Sequence, residues 1–200
     1  MKFLTLEGVD GAGKSSHIEF IADAVRTKGA HVIVTREPGG TDLAERLRQA
    51  ILGEAMSPSV ETLLVFAARA DHVAKVIQPA LKAGHYVICD RFTDATFAYQ
   101  GGGHSVSRDL IYRLAEVAHP GLKPHRTLVF DCPYDIASQR MNRAGRKLDR
   151  FEREDRAFFE RVRAAYLARA KAEPRRVRVI DATLPVAEIR KALERNLSDL

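Results

Sequence analysis

Five short apolar runs rich in β-branched residues, Lys2–Glu7, His31–Thr35, Tyr86–Asp90, Thr127–Asp131 and Arg176–Ile180, punctuate the chain and predict strands. Between them apolar positions recur mostly every three or four residues. That spacing predicts helices over Ser15–Lys28, Asp42–Leu52, Pro58–Ala83, Ser107–Ala118, Pro133–Asn142, Glu152–Ala172 and Pro185–Leu197, with Ser107 as an N-cap. Most of the strands are apolar throughout rather than alternating, so both of their faces must be covered. Strands that alternate with helices and are buried on both sides make an α/β fold: a five-stranded parallel sheet flanked by helices. No repeat or low-complexity tract interrupts the pattern, and 200 residues suffice for a single domain. Gly101-Gly102-Gly103 is expected to be a flexible connection within it.

In such a sheet ligands collect at the carboxyl ends of the strands, and four polar motifs fall there. The first run is followed by Gly8-Val9-Asp10-Gly11-Ala12-Gly13-Lys14-Ser15, which fits G-x-x-x-x-G-K-[ST] between a strand and a helix. The glycines let backbone N–H groups turn inward around phosphates, Lys14 adds a point charge for the outer ones, and the Ser15 hydroxyl can ligate Mg²⁺, with Ser16 beside it. The second run ends in Arg36-Glu37-Pro38-Gly39-Gly40, where a guanidinium could grip a second phosphate. The third ends in Asp90-Arg91, an acid able to accept from Mg²⁺-bound water and an arginine able to span two phosphates. It is followed by the hydroxyl, phenol and amide of Thr96, Tyr99 and Gln100. The fifth leads into Asp181-Ala182-Thr183. On the long third helix, Phe66 and Arg69 are three residues apart and present a flat ring and a planar donor fork to one side.

The formal charge of +6 is unevenly spread. Residues 140–178 hold twelve Arg and two Lys against six acids, so the rest of the chain is slightly acidic. The run Arg140-Met-Asn-Arg143-Ala-Gly-Arg146-Lys147-Leu-Asp-Arg150 lacks the interleaved aromatics that stack single-stranded bases, and reads as a mobile phosphate clamp rather than a nucleic-acid surface. Cys89 and Cys132 end apolar runs and read as buried thiols, and the seven histidines show no metal-ligand spacing. With no signal region and no run long enough to span a bilayer, the expectation is a cytoplasmic protein that binds no membrane.

Taken in order, Gly8–Ser15, Arg36–Gly40, Phe66-Ala-Ala-Arg69, Asp90-Arg91, Ala98-Tyr-Gln-Gly101, Leu148-Asp-Arg-Phe-Glu152 and Ile180-Asp-Ala-Thr183 resemble the thymidylate kinase family over nearly the whole chain. The resemblance implies the P-loop nucleoside monophosphate kinase fold, transfer of the ATP γ-phosphoryl group to dTMP with Mg²⁺, and a homodimer. It implies that Arg36 and Arg91 hold the dTMP phosphate beside Glu37 and Pro38, that Phe66 stacks on thymine, and that Arg69 bonds its exocyclic oxygen. Thr96 and Gln100 would then lie near the base edge, Tyr99 beneath the sugar, and adenine near Ala182. Gly11 stands where some members carry an arginine, so the catalytic guanidinium is expected from a lid at about 140–152, from Arg143, Arg146 or Arg150.

A phosphate monoester is already a nucleophile near neutrality, its second ionisation lying near 6, so such a reaction needs charge neutralisation more than a base. Asp10 then reads as an orienting carboxylate. Two other readings stay open from the residues alone: a deoxynucleoside kinase on the same fold, and a nucleotide-gated binding module. The latter lacks an Asn-Lys-x-Asp guanine signature, the asparagines being Asn142 and Asn196 only.

Overall fold

The computed structural model describes residues 2–143, 145 and 148–198. Five parallel strands form one sheet: β1 (Phe3–Glu7), β2 (Val32–Arg36), β3 (Tyr86–Asp90), β4 (Arg126–Asp131) and β5 (Val177–Asp181), in the order β2-β3-β1-β4-β5. Each lies within a residue of its sequence-predicted bounds. The helices are α1 (Ile18–Arg26), α2 (Asp42–Gly53), α3 (Pro58–His72), α4 (Gln78–Lys82), α5 (Thr93–Thr96), α6 (Arg108–Ala118), α7 (Tyr134–Arg143), α8 (Arg156–Ala172) and α9 (Val186–Leu197).

The two-sided burial inferred from the strands holds for the inner strands β1, β3 and β4, whereas the edge strands β2 and β5 leave Val34 and Val179 exposed. On β3, Ile88 joins the cluster containing Ile21 and Ala22 of α1, while its neighbours Val87 and Cys89 point the other way, toward Val73, Ile77 and Ala80. Burying each such aliphatic side chain contributes roughly 1.5–3 kcal/mol relative to exposing it. Among the described residues no helix is long and apolar enough to cross a membrane.

Side-chain caps set several helix starts. Thr41, Ser57, Ser107 and Asp155 each accept a bond from the backbone N–H three residues on. Asp155 explains why α8 opens at Arg156 and not at Glu152 as the periodicity suggested. Residues 149–152 form a turn in which the Asp149 carboxylate accepts from the N–H groups of Phe151 and Glu152. The single long helix expected from Pro58 to Ala83 runs as α3, a wider π stretch over Val73–Ile77, and α4.

Gly101-Gly102-Gly103 departs from expectation. It is the end of a helix, not a loose connection: α5 continues as a π stretch over Phe97–Gly103 that packs closely on α8. A Cβ on Gly103 would stand 2.4 Å from the Phe158 ring. The glycines serve close approach, which the sequence pattern alone could not distinguish from flexibility.

Candidate active site

Strand register brings three motifs to one rim. Arg36 of β2 and Leu6 of β1 both pair with Asp90 of β3, so the chain leaves all three strands at the same level. The β1 loop turns back over the sheet edge, and Gly11 has φ +77° with its Cα against the Ala137 carbonyl, where a Cβ would come within 2.4 Å. A side chain at this position would push the loop off α7.

An open cleft of about 630 Å³ lies over this rim. Asp10, Gly11, Ala12, Gly13, Lys14, Ser15 and Ser16 line it, with Arg36, Glu37, Asp90 and Arg91 opposite. Gly8 and Val9 lie at the loop's base, where their carbonyls accept from the Lys14 ammonium at 3.2 and 3.4 Å. Burial, then the nearby Arg91 charge, draw Lys14 below the ordinary lysine range. Ser15 and Ser16 are exposed on the cleft. Asp90 has a buried Oδ1 with no hydrogen-bond partner among the described residues.

Arg91, in a left-handed conformation (φ 71°), is the hub. Its Nη1 donates to the Gly8 carbonyl at 2.9 Å and to the Tyr166 hydroxyl at 3.2 Å; its Nη2 donates to Asp10 Oδ1 at 2.6 Å and the Tyr99 hydroxyl at 3.0 Å. Tyr99 donates in turn to Asp10 Oδ2 at 2.7 Å. Although burial opposes it, Arg91 and Lys14 hold Asp10 below the usual carboxylate range, so it is a fixed anion and not a base.

Behind the hub, Tyr166 donates to the fully buried Glu7 at 2.8 Å, and the Phe92 N–H donates to its other oxygen, also at 2.8 Å. Burial, followed by the charge of Asp94, pushes Glu7 up to about 8 against the pull of Arg91. A carboxyl raised in the folded state adds stability that is present below its unfolded value and lost as pH rises through the folded one. Between about pH 5 and 9 the native protein should therefore lose several kcal/mol more than Glu7→Gln. Denaturant unfolding across that range checks it; equal slopes for the two proteins would place the proton elsewhere.

A second, smaller pocket of about 80 Å³ opens off the cleft. Pro38, Arg69, Thr96, Tyr99 and Gln100 line it, together with Ile51, Leu52, Val65, Ala95 and Phe151. Asp10, Glu37, Arg48, Arg91 and Asp149 line both spaces and so form the junction. Arg69 is 2% exposed and held by Glu37 at 2.6 Å, Thr96 Oγ1 at 3.0 Å and the Phe92 carbonyl at 3.1 Å. Glu37 also bonds His72 at 3.0 Å, and despite burial Arg69 and His72 keep it below its ordinary value. The fold thus groups His72 with Glu37 and Cys89, three potential metal ligands within 4.8 Å that the sequence spacing did not show. Both Glu37 oxygens are spent on Arg69 and His72, however.

Three sets of the expected residues do not line these two spaces. Phe66 is not on the pocket wall: it is 3% exposed and packs with Phe97, Ile111 and Ala115, its ring 4.8 Å from the Arg69 guanidinium. Val65 takes the wall instead, since residues four apart stack on one helix face and Arg69 is its i+4 neighbour. Ala182 is fully buried, its carbonyl accepting from Arg140 at 2.9 Å, and the wall on that side is Leu184 and Val186. Neither Arg143, exposed at the end of α7, nor Arg150, bonded to the Ile51 carbonyl and Glu61, lines the phosphate cleft; Arg146 lies outside the described residues.

Arg140 stood in the arginine run with no role of its own, and Arg48 escaped the sequence reading. Arg140 lines the cleft and donates to the Ala12 carbonyl at 3.4 Å. Arg48 donates to the Pro38 carbonyl at 2.9 Å, and burial, with Arg36 nearby, draws it below the ordinary arginine value. The only signal for Arg48 was its place one turn after Glu45, which itself pairs with Arg36 at 3.0 Å.

A phosphate loop facing a guanidinium-lined junction suits transfer between two phosphates. The model of one family, thymidylate kinase, matches residues 6–193. The chain belongs to the thymidylate kinase family. It is 54% identical to the thymidylate kinase of Bordetella petrii over 199 residues, covering 100% of this chain and 96% of that one. It is likewise 54% identical to that of Pseudomonas savastanoi pv. phaseolicola over 201 residues, covering 99% and 95%. Among solved structures, the thymidylate kinase of Ehrlichia chaffeensis superposes with a TM-score of 0.81 at 30% identity, covering 98% of each chain. The P-loop nucleoside monophosphate kinase fold is thus that of the family.

Proposed function

We propose that this chain transfers the γ-phosphoryl group of ATP to dTMP, giving dTDP and ADP. The observation that carries it is the junction. A triphosphate-sized cleft opens through Arg48, Arg91 and Asp10 into an apolar pocket edged by Thr96, Gln100 and Arg69, so an acceptor phosphate and its base can sit either side of one guanidinium set. Gly8, Val9, Asp10, Gly11, Ala12, Gly13, Lys14, Ser15 and Ser16 take the donor phosphates. The adenine face is Leu184 and Val186, with Ala182 behind them.

Arg36, Arg48 and Arg91 grip the acceptor phosphate. Glu37 and Pro38 shape the pocket mouth, Arg69, Thr96 and Gln100 meet the base edge, Tyr99 lies under the sugar, and Phe66 supports Arg69 from behind. The donor set fits Mg²⁺: the Ser15 hydroxyl and the Asp90 carboxylate oxygen that has no partner among the described residues are hard oxygen ligands on the phosphate side of the cleft. When bound it neutralises charge on the transferring phosphate oxygens. The chain's own residues position and neutralise, Lys14 at the outer phosphates and Arg91 between the two phosphoryl groups.

We place this single domain in the cytosol as a homodimer. Exposed apolar side chains on two helices packed against each other, Val60 and Leu63 on α3 and Leu110 and Val117 on α6, support the dimer. Sedimentation at twice the chain mass is the expected result.

The deciding experiment measures ADP release with dTMP, dCMP, dGMP and UMP. dTMP should give the highest kcat/KM, and comparable values for all four would overturn the assignment.

The remaining charge comes from the lid. Gly11 leaves no guanidinium in the loop, so Arg143 and Arg146, with Arg140 already at the cleft and Arg150 on the acceptor side, supply it. Alanine at the essential position should slow single-turnover transfer by on the order of 10²-fold while dTMP binding changes much less. Near-native rates for every one of these variants would mean that Lys14, Arg91 and the metal suffice.

A further inference from the structure

Glu61 has no role in the chemistry above, yet it is a completely buried acid on α3. Its Oε1 accepts from Gln100 Nε2 at 2.7 Å and its Oε2 accepts from the Arg150 guanidinium. Arg150 also donates to the Ile51 carbonyl, from Nε at 3.2 Å and from Nη2 at 3.1 Å. Gln100 and Ile51 both line the small pocket. One carboxylate therefore ties an arginine of the expected lid segment to the side chain at the base edge.

A glutamine amide is nearly symmetric in shape and opposite in hydrogen-bond sense at its two ends, so an untethered one can show a ligand either donor or acceptor. A carboxylate paired with a guanidinium has only lone pairs to offer. The NH₂ of Gln100 must therefore face Glu61, which leaves its carbonyl oxygen for the pocket. Thymine presents an N3–H donor; cytosine presents a lone pair at N3 and an amine beside it. A fixed carbonyl accepts from thymine N3–H but at the same place meets the lone pair of cytosine N3.

We propose that Glu61 is a specificity-positioning residue, which locks the Gln100 amide with its acceptor toward the base and so favours thymine over cytosine. This rests on the dTMP reading and names what sets its base preference.

The test is the ratio of kcat/KM for dTMP to that for dCMP. Glu61→Gln keeps the shape but offers Gln100 a donor as well as an acceptor, so the amide can turn over. The ratio should fall by on the order of tenfold or more. A merely structural Glu61 would lower both substrates together and leave the ratio intact, which would overturn the proposal. Glu61→Asp, still an acceptor-only group, should hold the ratio even at a lower melting temperature.

If Glu61→Gln does not fold, the double variant Glu61→Met with Arg150→Met, which removes the acceptor and its counter-charge together, decides. A fallen ratio supports the lock and a held ratio refutes it. Failure of the parent reading looks different: the unaltered protein would then show no dTMP preference at all.

Discussion

Alanine in place of Arg91 should lower kcat/KM for dTMP by on the order of 10³-fold or more. This guanidinium spends four donor contacts on Gly8, Tyr166, Asp10 and Tyr99, and sits where the phosphate cleft meets the base pocket. Two effects therefore add. On the proposed function a positive charge is lost between the two phosphoryl groups, and the Asp10 carboxylate, held as an anion by Arg91 first among its neighbours, is left facing the incoming dianion. Lysine should restore little, because one ammonium cannot reach the loop carbonyl, a carboxylate and two phenols at once. The loss should appear in both kcat and KM, with thermal unfolding separating activity from folding. A kcat/KM within tenfold of the unaltered protein would remove Arg91 from the centre of the site.

How much of this could be read from the chain depends on the range of the interaction. The inner strands β1, β3 and β4 were legible to within a residue because two-sided burial writes itself into continuous apolar runs. The phosphate loop was legible because its geometry demands particular residues at fixed spacing. Helix phase was harder. Phe66-Ala-Ala-Arg69 looks like one face at three-residue spacing, but the pocket wall follows the four-residue pair Val65 and Arg69, and only the packing of Phe97 and Ile111 against Phe66 decides between them.

Residues whose role arises from contacts distant in sequence left no local trace. Glu61 and Arg150 are 89 positions apart, and Arg140 reaches the carbonyl of Ala182, 42 positions on. The glycine triplet misled for the same reason: Phe158, whose ring occupies the space a Gly103 side chain would need, belongs to a helix far along the chain.

Lys14→Ala should slow phosphoryl transfer by on the order of 10³-fold with little loss of fold. Lys14 is 6% exposed, and the contacts of its ammonium with the Gly8 and Val9 carbonyls, at 3.2 and 3.4 Å, are long for a charged donor. Burial and the Arg91 charge draw its pKa down, so its charge is held there at a cost that donor phosphates would relieve. Removing it should leave thermal stability unchanged or slightly raised, while the charge that builds on the transferring oxygens goes unmet. Arginine should not substitute, since a planar fork cannot enter the slot beneath the loop without displacing the carbonyls that Lys14 now touches. Single-turnover transfer at saturating ATP and dTMP isolates the chemical step from nucleotide binding. If Lys14→Ala turns over within tenfold of the unaltered protein, the neutralising charge comes from elsewhere in the cleft, and Arg140, already against the Ala12 carbonyl, becomes the residue to replace next.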